Sequence, residues 1–368
     1  MAVPAGRWIR LVATVGLLAV GCGSGSATGV ATSPSPTSAA SATPVPAASL
    51  ALVNLRGGDH MVVRDVTDIS HPTTVATLAT SPPQPRFISA TELVFLDPDV
   101  IGDFATYPSN VMRAPLSGSP TTLVASAPHG IFLFALAPDG RTAAYITTTS
   151  DRSELHLVSG GNDRLVSSMP SIFGGCESPS CVFHTEFRLL YSPDGKYISL
   201  TQSYGGPNFR LWDAQGKLLK SNPDGSSYSG SVWSGGSLYF VGADGVEFWR
   251  NGVTSAFLPG VRWVRPHGSP DGAHIVYAAS DKAGSTHVYV VDIGTRSIRE
   301  IKQSRRDPVF LTSRYLWYQG ERACQTVDPC DKSLPVIASA TTYIYDLVDG
   351  TEATSLITDV HDVWPHAA

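Results

Sequence analysis

A chain of 368 residues with 42% hydrophobic content is long enough to bury one large core or two ordinary ones. Its formal charge of −5 gives no electrostatic footprint for nucleic acid, whose binders cluster Lys and Arg, so nucleic acid is not expected as a partner.

The first segment reads as an export signal over residues 1–21. Arg7 and Arg10 supply a short positive region, and Leu11 to Val20 form an uncharged, mostly apolar run too short to span a bilayer comfortably. The run ends Leu18-Ala19-Val20-Gly21-Cys22, which resembles the lipobox of bacterial lipoproteins, with Ala19 where that pattern usually has Leu. The resemblance implies that Cys22 is lipidated and becomes the new N-terminus. Each buried CH₂ contributes about 0.8 kcal/mol, so several acyl chains would anchor the protein firmly to a membrane. An ordinary secretory signal or a retained membrane helix are the alternatives. Residues 22–48 continue as Ser, Thr, Ala, Pro and Gly without a charge or an aromatic ring, a composition that cannot bury a core and serves as a tether. As a flexible coil its ends lie roughly 30 Å apart. The expected location is extracytoplasmic, on the outer face of the cell membrane or in the periplasm or outer membrane.

From Ser49 to residue 368 apolar runs of strand length alternate with Gly, Pro, Asp and Ser clusters, and no amphipathic helix is convincing. The turn Ser-Pro-Asp-Gly at 192–195 returns at 269–272, with Ala-Pro-Asp-Gly at 137–140. Each copy joins two strand-like runs, which marks a repeat. Anchored on these turns, the predicted strands fall into seven modules. The first has strands at 50–55, 60–66 and 74–80; the second at 86–89, 92–96, 110–114 and 121–125; the third at 131–136, 142–147, 154–158 and 164–168. The fourth follows at 187–191, 197–202, 209–213 and 217–220, and the fifth at 229–233, 237–241, 246–250 and 253–258. The sixth has 261–265, 274–279, 287–293 and 297–302, and the seventh 308–312, 314–318, 342–347 and 352–357. The first module lacks an inner strand, and the run 359–365 has no module of its own; Val363-Trp364-Pro365-His366 parallels Val264-Arg265-Pro266-His267. This predicts an all-β propeller of four-stranded blades, closed by the C-terminal strand joining the first blade. Seven blades are expected, with six or eight as alternatives because the fifth module is compressed.

The pattern resembles the WD40-like Pro-Asp-Gly repeats of the Tol-system propeller and of prolyl oligopeptidase propellers, over about 320 residues. The resemblance implies the fold and no catalytic residue, since Pro presets φ, Asp caps the turn and Gly takes the positive φ.

Loop length separates the two ends of such a ring. The longest connections, 97–109, 169–185 and 321–341, all fall at the end opposite the Pro-Asp-Gly turns. They hold Cys176 with Cys181 and Cys324 with Cys330, local pairs that read as disulfides in an exported chain. This candidate binding face carries Asp97, Asp99, Asp103, Phe104, Tyr107, Phe173, Glu177, Tyr204, Tyr228, Glu321, Arg322 and Asp331. Aromatic rings among carboxylates suit an envelope protein or a glycan; Phe104, Tyr107 and Phe173 packing beneath their own loops is the plainer reading. His129 and His184 each stand nine residues before a turn Pro, with His361 in the closing strand, an arrangement open to a transition metal. Polar residues lining a wet channel explain it more simply. Asp97, Asp99 and Asp103 lack the loop Gly and terminal Glu of a known calcium motif. No metal or other cofactor is expected.

No Gly-x-Ser-x-Gly elbow, dinucleotide fingerprint, P-loop or His-Glu-x-x-His occurs. The expectation is a monomeric, non-catalytic, membrane-tethered propeller that binds an envelope protein or glycan. The alternative is a propeller glycosidase or lyase acting on envelope polysaccharide, which needs two carboxylates about 5 to 10 Å apart.

Overall fold

The computed structural model describes residues 48–366 apart from 59, 79–80, 98, 100–106, 119–120, 150, 173–186, 203–208, 223–229, 283–284 and 321–340. The expected signal, Cys22, the expected tether up to residue 47 and the four further cysteines lie outside the described residues.

The chain builds seven four-stranded antiparallel sheets. Blade 1 begins with β1 (Leu50–Leu55), β2 (Met61–Asp65) and β3 (Thr73–Thr77), and blade 2 is β4 (Arg86–Ser89), β5 (Glu92–Leu96), β6 (Asn110–Pro115) and β7 (Thr122–Ser126). Blade 3 is β8 (Leu133–Leu136), β9 (Thr142–Thr148), β10 (Arg152–Ser159) and β11 (Asn162–Pro170). Blade 4 is β12 (Phe187–Tyr191), β13 (Tyr197–Gln202), β14 (Phe209–Asp213) and β15 (Leu218–Asn222). Blade 5 is β16 (Val232–Ser234), β17 (Ser237–Gly242), β18 (Gly245–Arg250) and β19 (Val253–Pro259), and blade 6 is β20 (Val264–Gly268), β21 (His274–Ser280), β22 (Thr286–Asp292) and β23 (Ile298–Gln303). Blade 7 is β24 (Arg305–Phe310), β25 (Tyr315–Gly320), β26 (Thr342–Asp346) and β27 (Glu352–Thr354). The last strand, β28 (Ile357–Trp364), returns to blade 1, where Val363 pairs with Ala51 and Asp359 with Asn54. Both ends of the propeller segment thus meet in one sheet, and β1 has no open edge.

Burial follows position within a blade. The second strands are sandwiched between neighbouring blades on both faces, so they read as continuous apolar runs: Leu50 to Val53 are buried, and so is all of β17. The outermost strands face solvent, and β3 is almost wholly exposed. The core is therefore a ring of inter-blade seams. Phe209 of blade 4 stacks on Phe240 of blade 5 with centroids 4.4 Å apart, and Trp212 packs with Leu133 and Ile146 of blade 3. Each such side chain, fully buried, contributes about 1.5–3 kcal/mol.

The Pro-Asp-Gly turns form as their chemistry dictates. At 192–195 the Gly195 N–H donates to the Ser192 carbonyl at 2.9 Å, the Asp194 carboxylate accepts the Lys196 N–H at 3.1 Å, and Gly195 takes φ +71°. Asp139 and Asp271 cap their turns in the same way, at 2.8 and 3.0 Å, with Gly140 at φ +65° and Gly272 at φ +68°.

The inner strand of blade 2 lies where it was expected, at 86–89, whereas those of blades 6 and 7 depart from their expected spans beside a proline. Gln84, Arg265 and Asp307 take φ of +49°, +49° and +53°, and each precedes a proline. A proline brings no N–H to the ladder, so in blades 6 and 7 the strand bulges there, with register shifts between Val264 and His267 and between Arg306 and Val309. The inner strand of blade 6 accordingly lies at 264–268 rather than 261–265, and that of blade 7 starts three residues earlier than expected. Two of these residues tie their blade to the next: Gln84 Nε2 donates to the Phe132 carbonyl at 2.7 Å, and Arg265 Nη1 meets Asp307 Oδ1 at 2.6 Å. The likeness between 264–267 and 363–366 is not a structural one. Asp362 opposite Leu52, not His366, takes the place that His267 holds opposite Val276.

Candidate functional site

Pairing each inner strand with the strand outside it sets seven side chains at one level of the central channel. They are Asp362, Arg86, Ala135, Leu190, Val232, His267 and Val309, from blades 1 to 7 in turn, once the closing strand is counted with blade 1. All but Val309 line a cavity of about 410 Å³. Pro138, Pro193 and Pro270 of the Pro-Asp-Gly turns also line it, so the cavity lies at the turn end of the channel. Its size is that of a pocket for a small molecule or one bulky side chain.

The cavity has two unlike halves. Ala135, Leu136, Leu190, Val232 and Trp233 from blades 3 to 5 make an apolar wall. The half where the ring closes carries Asp362, Arg86, His267 and His366. Asp362 Oδ2 accepts the Phe87 N–H at 2.6 Å and stands 2.9 Å from His366 Nε2, and Arg86 Nη1 lies 3.8 Å from Oδ1. Burial pushes this carboxyl up, but His366, Arg86 and the Phe87 N–H together outweigh it and hold the group below the usual Asp value. Asp362 is therefore an ionised, fully engaged bolt between the closing strand and blade 2. His267 Nδ1 accepts the Phe310 N–H at 3.3 Å, which puts the ring proton on Nε2. Burial first, and the charge of Arg188 second, push its imidazole down to about 4, so it is neutral at pH 7.

One further donor faces the cavity. Tyr191 lines both it and an adjoining groove between blades 3 and 4 that reaches Asp139 and Asp194. Among the described residues its buried hydroxyl has no hydrogen-bond partner, and burial, followed by the charge of Asp139, raises its pKa, so it stays a neutral O–H donor. Among the described residues that line the cavity, Asp362 is the single carboxylate. An acid–base pair of carboxylates is therefore not assembled from them.

Of the sequence-derived candidates, five are described. Asp97 accepts the Asp99 N–H at 3.0 Å, which commits its carboxylate to its own turn, and Asp99 is exposed. Tyr107 sits edge-on to Phe132 at 5.3 Å, and Phe132 edge-on to Phe187 at 5.0 Å, so its ring packs inward in a chain of aromatics. His129 is exposed in the turn closed by the Gly130 N–H and the Ala127 carbonyl. His361 is half-buried, with Asp359 Oδ2 3.9 Å from Nε2; burial chiefly holds its pKa down. Among the described residues no three His, Cys, Asp or Glu side chains are placed to hold a metal. Asp103, Phe104, Phe173, Glu177, Tyr204, Tyr228, Glu321, Arg322, Asp331 and His184 lie outside the described residues, as do Cys176, Cys181, Cys324 and Cys330. Sequence reasoning passed over Asp362, Arg86, His267 and Tyr191. The signal for two of them was the X-Pro step in the inner strands: Gln84-Pro85 precedes Arg86 and Arg265-Pro266 precedes His267, while the closing strand supplies Asp362 at the same level without one.

Fold and site together define a closed seven-bladed β-propeller with a half-apolar channel. No protein-family model matches the chain, and no curated protein matches it. Among solved structures it is similar to TolB from Acinetobacter baumannii, with 16% identity over 85% of this chain and 80% of that one and a TM-score of 0.43. It is also similar to the β-propeller domain of the Trilobed protease from Pyrococcus furiosus, with 11% identity, coverage of 74% and 84%, and a TM-score of 0.48. An oligogalacturonate lyase in complex with manganese gives 12% identity, coverage of 83% and 77%, and a TM-score of 0.42. The architecture assigned here stands on the strand order itself, and these likenesses carry no argument about ligand or chemistry.

Proposed function

We propose that the protein is an extracytoplasmic lipoprotein, tethered to the membrane through Cys22, whose propeller binds a protein or glycan of the cell envelope and does no chemistry on it. The tether reading is supported by the Leu18-to-Cys22 boundary and the uncharged stretch that follows it. The binding reading is carried by one observation. The channel cavity pairs an apolar wall with donors that are neutral at pH 7, Tyr191 O–H and His267 Nε2–H, while its one described carboxylate is engaged by the Phe87 N–H, His366 and Arg86. Such a site holds an apolar group of a partner and orients a polar atom beside it, but lacks a free acid and base.

The test is crosslinking and pull-down from intact cells carrying the lipidated protein. Leu190→Asp, which puts a charge on the apolar wall, is expected to lose the specific partner while melting within a few degrees of wild type. Cys22→Ala is expected to move the protein from the membrane to the soluble fraction. An unchanged partner set for Leu190→Asp, or purified protein that shortens envelope polysaccharide, would overturn the reading.

A further inference from the structure

Blade 4 buries a cation that the described residues leave unanswered. Along β14, Phe209 and Leu211 pack toward blade 5 with Phe240 and Trp249, whereas Trp212 packs toward blade 3 with Leu133, Met169 and Ile172. Strand alternation therefore turns Arg210 to the same side as Trp212, and it stands opposite Leu200 of that same apolar cluster. Arg210 is 8% exposed, and among the described residues it makes no hydrogen bond or ion pair. Among those residues its Nη1 is buried without a partner. So is Nε1 of Trp212, a side chain with no exposure at all.

Two buried donors thus share one strand face without an acceptor, and one of them bears a full charge. Burial lowers the Arg210 pKa, yet a guanidinium does not give up its proton in a protein, so the charge stays. Burying a guanidinium with an unbonded N–H is costly, and an anion placed beside it offsets that cost. We propose that this inter-blade site binds a small organic acid through its carboxylate, with the Arg210 guanidinium as the charged fork and the Trp212 N–H as a neutral donor beside it. One planar fork balances one carboxylate in charge and in geometry; a phosphate dianion would arrive with a charge left over. Donors buried on the face that packs toward blade 3 suit a small free acid rather than a side chain of a macromolecule. The site lies at the start of β14, the end of the blade opposite the Pro-Asp-Gly turns, so it stands apart from the channel reading and does not depend on it.

Acetate is the probe. The mature chain is melted in buffers in which sodium acetate replaces sodium chloride at constant ionic strength. The melting temperature of wild type is expected to rise saturably with acetate, as mass action requires of a ligand that binds only the folded state. Arg210→Met is expected to lose that dependence, and in acetate-free buffer to melt no lower than wild type, since it no longer buries an uncompensated charge. Arg210→Lys, which keeps the charge and lacks the fork, is expected to show a weaker rise. A wild type that does not respond to acetate would overturn the proposal, and that arm needs no variant to fold. So would an Arg210→Met protein that melts well below wild type in acetate-free buffer, because the guanidinium would then be paired by a carboxylate of the chain itself.

Discussion

On the side of the channel where the two ends of the ring meet, Asp362 and His267 are tied to the backbone of the next blade, through Phe87 and Phe310. On the far side, Ala135, Leu190 and Val232 stand at the same level with side chains that make no polar bond. The contrast shows a division of labour within one cavity. Charge is used where the ring is held shut, and the far wall carries none.

The comparison is broken most severely by ending the chain after Ser355. Without β28, blade 1 keeps three strands and β1 gains an open edge, so loss of cooperative unfolding and the appearance of aggregates are expected in circular dichroism and light scattering. Next comes Asp362→Ala, which leaves the Phe87 N–H without its acceptor and strips Arg86 and His366 of their carboxylate. A loss of about 3 kcal/mol is expected by denaturant titration, whereas Leu190→Asp on the opposite wall should cost clearly less. Equal losses would erase the distinction between the halves.

Acid should act on the closing side in two windows. His267 is protonated near 6.5 in the unfolded chain but only near 4 when folded, so the unfolded state takes up the proton first and stability falls as the pH drops from 6.5 toward 4. The expected change is on the order of 2 kcal/mol, less than the full shift because the ring lines a cavity, and His267→Gln should flatten it. Asp362, held below the usual Asp value, contributes stability above pH 4 that is lost only as the pH falls further. The smallest effect is expected at a turn. Gly195→Ala must adopt φ +71° and should cost about 1 kcal/mol, with no change in partner binding.

The blade frame was legible because its determinants are local. Pro-Asp-Gly turns close within four residues, and second strands buried on both faces declare themselves as unbroken apolar runs such as Leu50 to Val53. The closing strand was legible too, since β1 otherwise has no inner partner. The shifted inner strands of blades 6 and 7 were not, because a bulge at Arg265 or Asp307 is fixed by the register with a neighbour and not by the run itself. The channel was hidden for the same reason. Asp362 and Phe87 are 275 residues apart, and no spacing in the sequence announces their bond. Loop length points instead to the opposite end, where Tyr107 turns inward against Phe132.

The most direct test of the channel's apolar half as the binding surface is site-specific photocrosslinking in intact cells. A benzophenone side chain is placed at Leu190 and, separately, at exposed Asp99 on the opposite end of the ring. A discrete partner adduct from position 190 and none from position 99 is the result predicted here. An adduct from position 99 alone would contradict it.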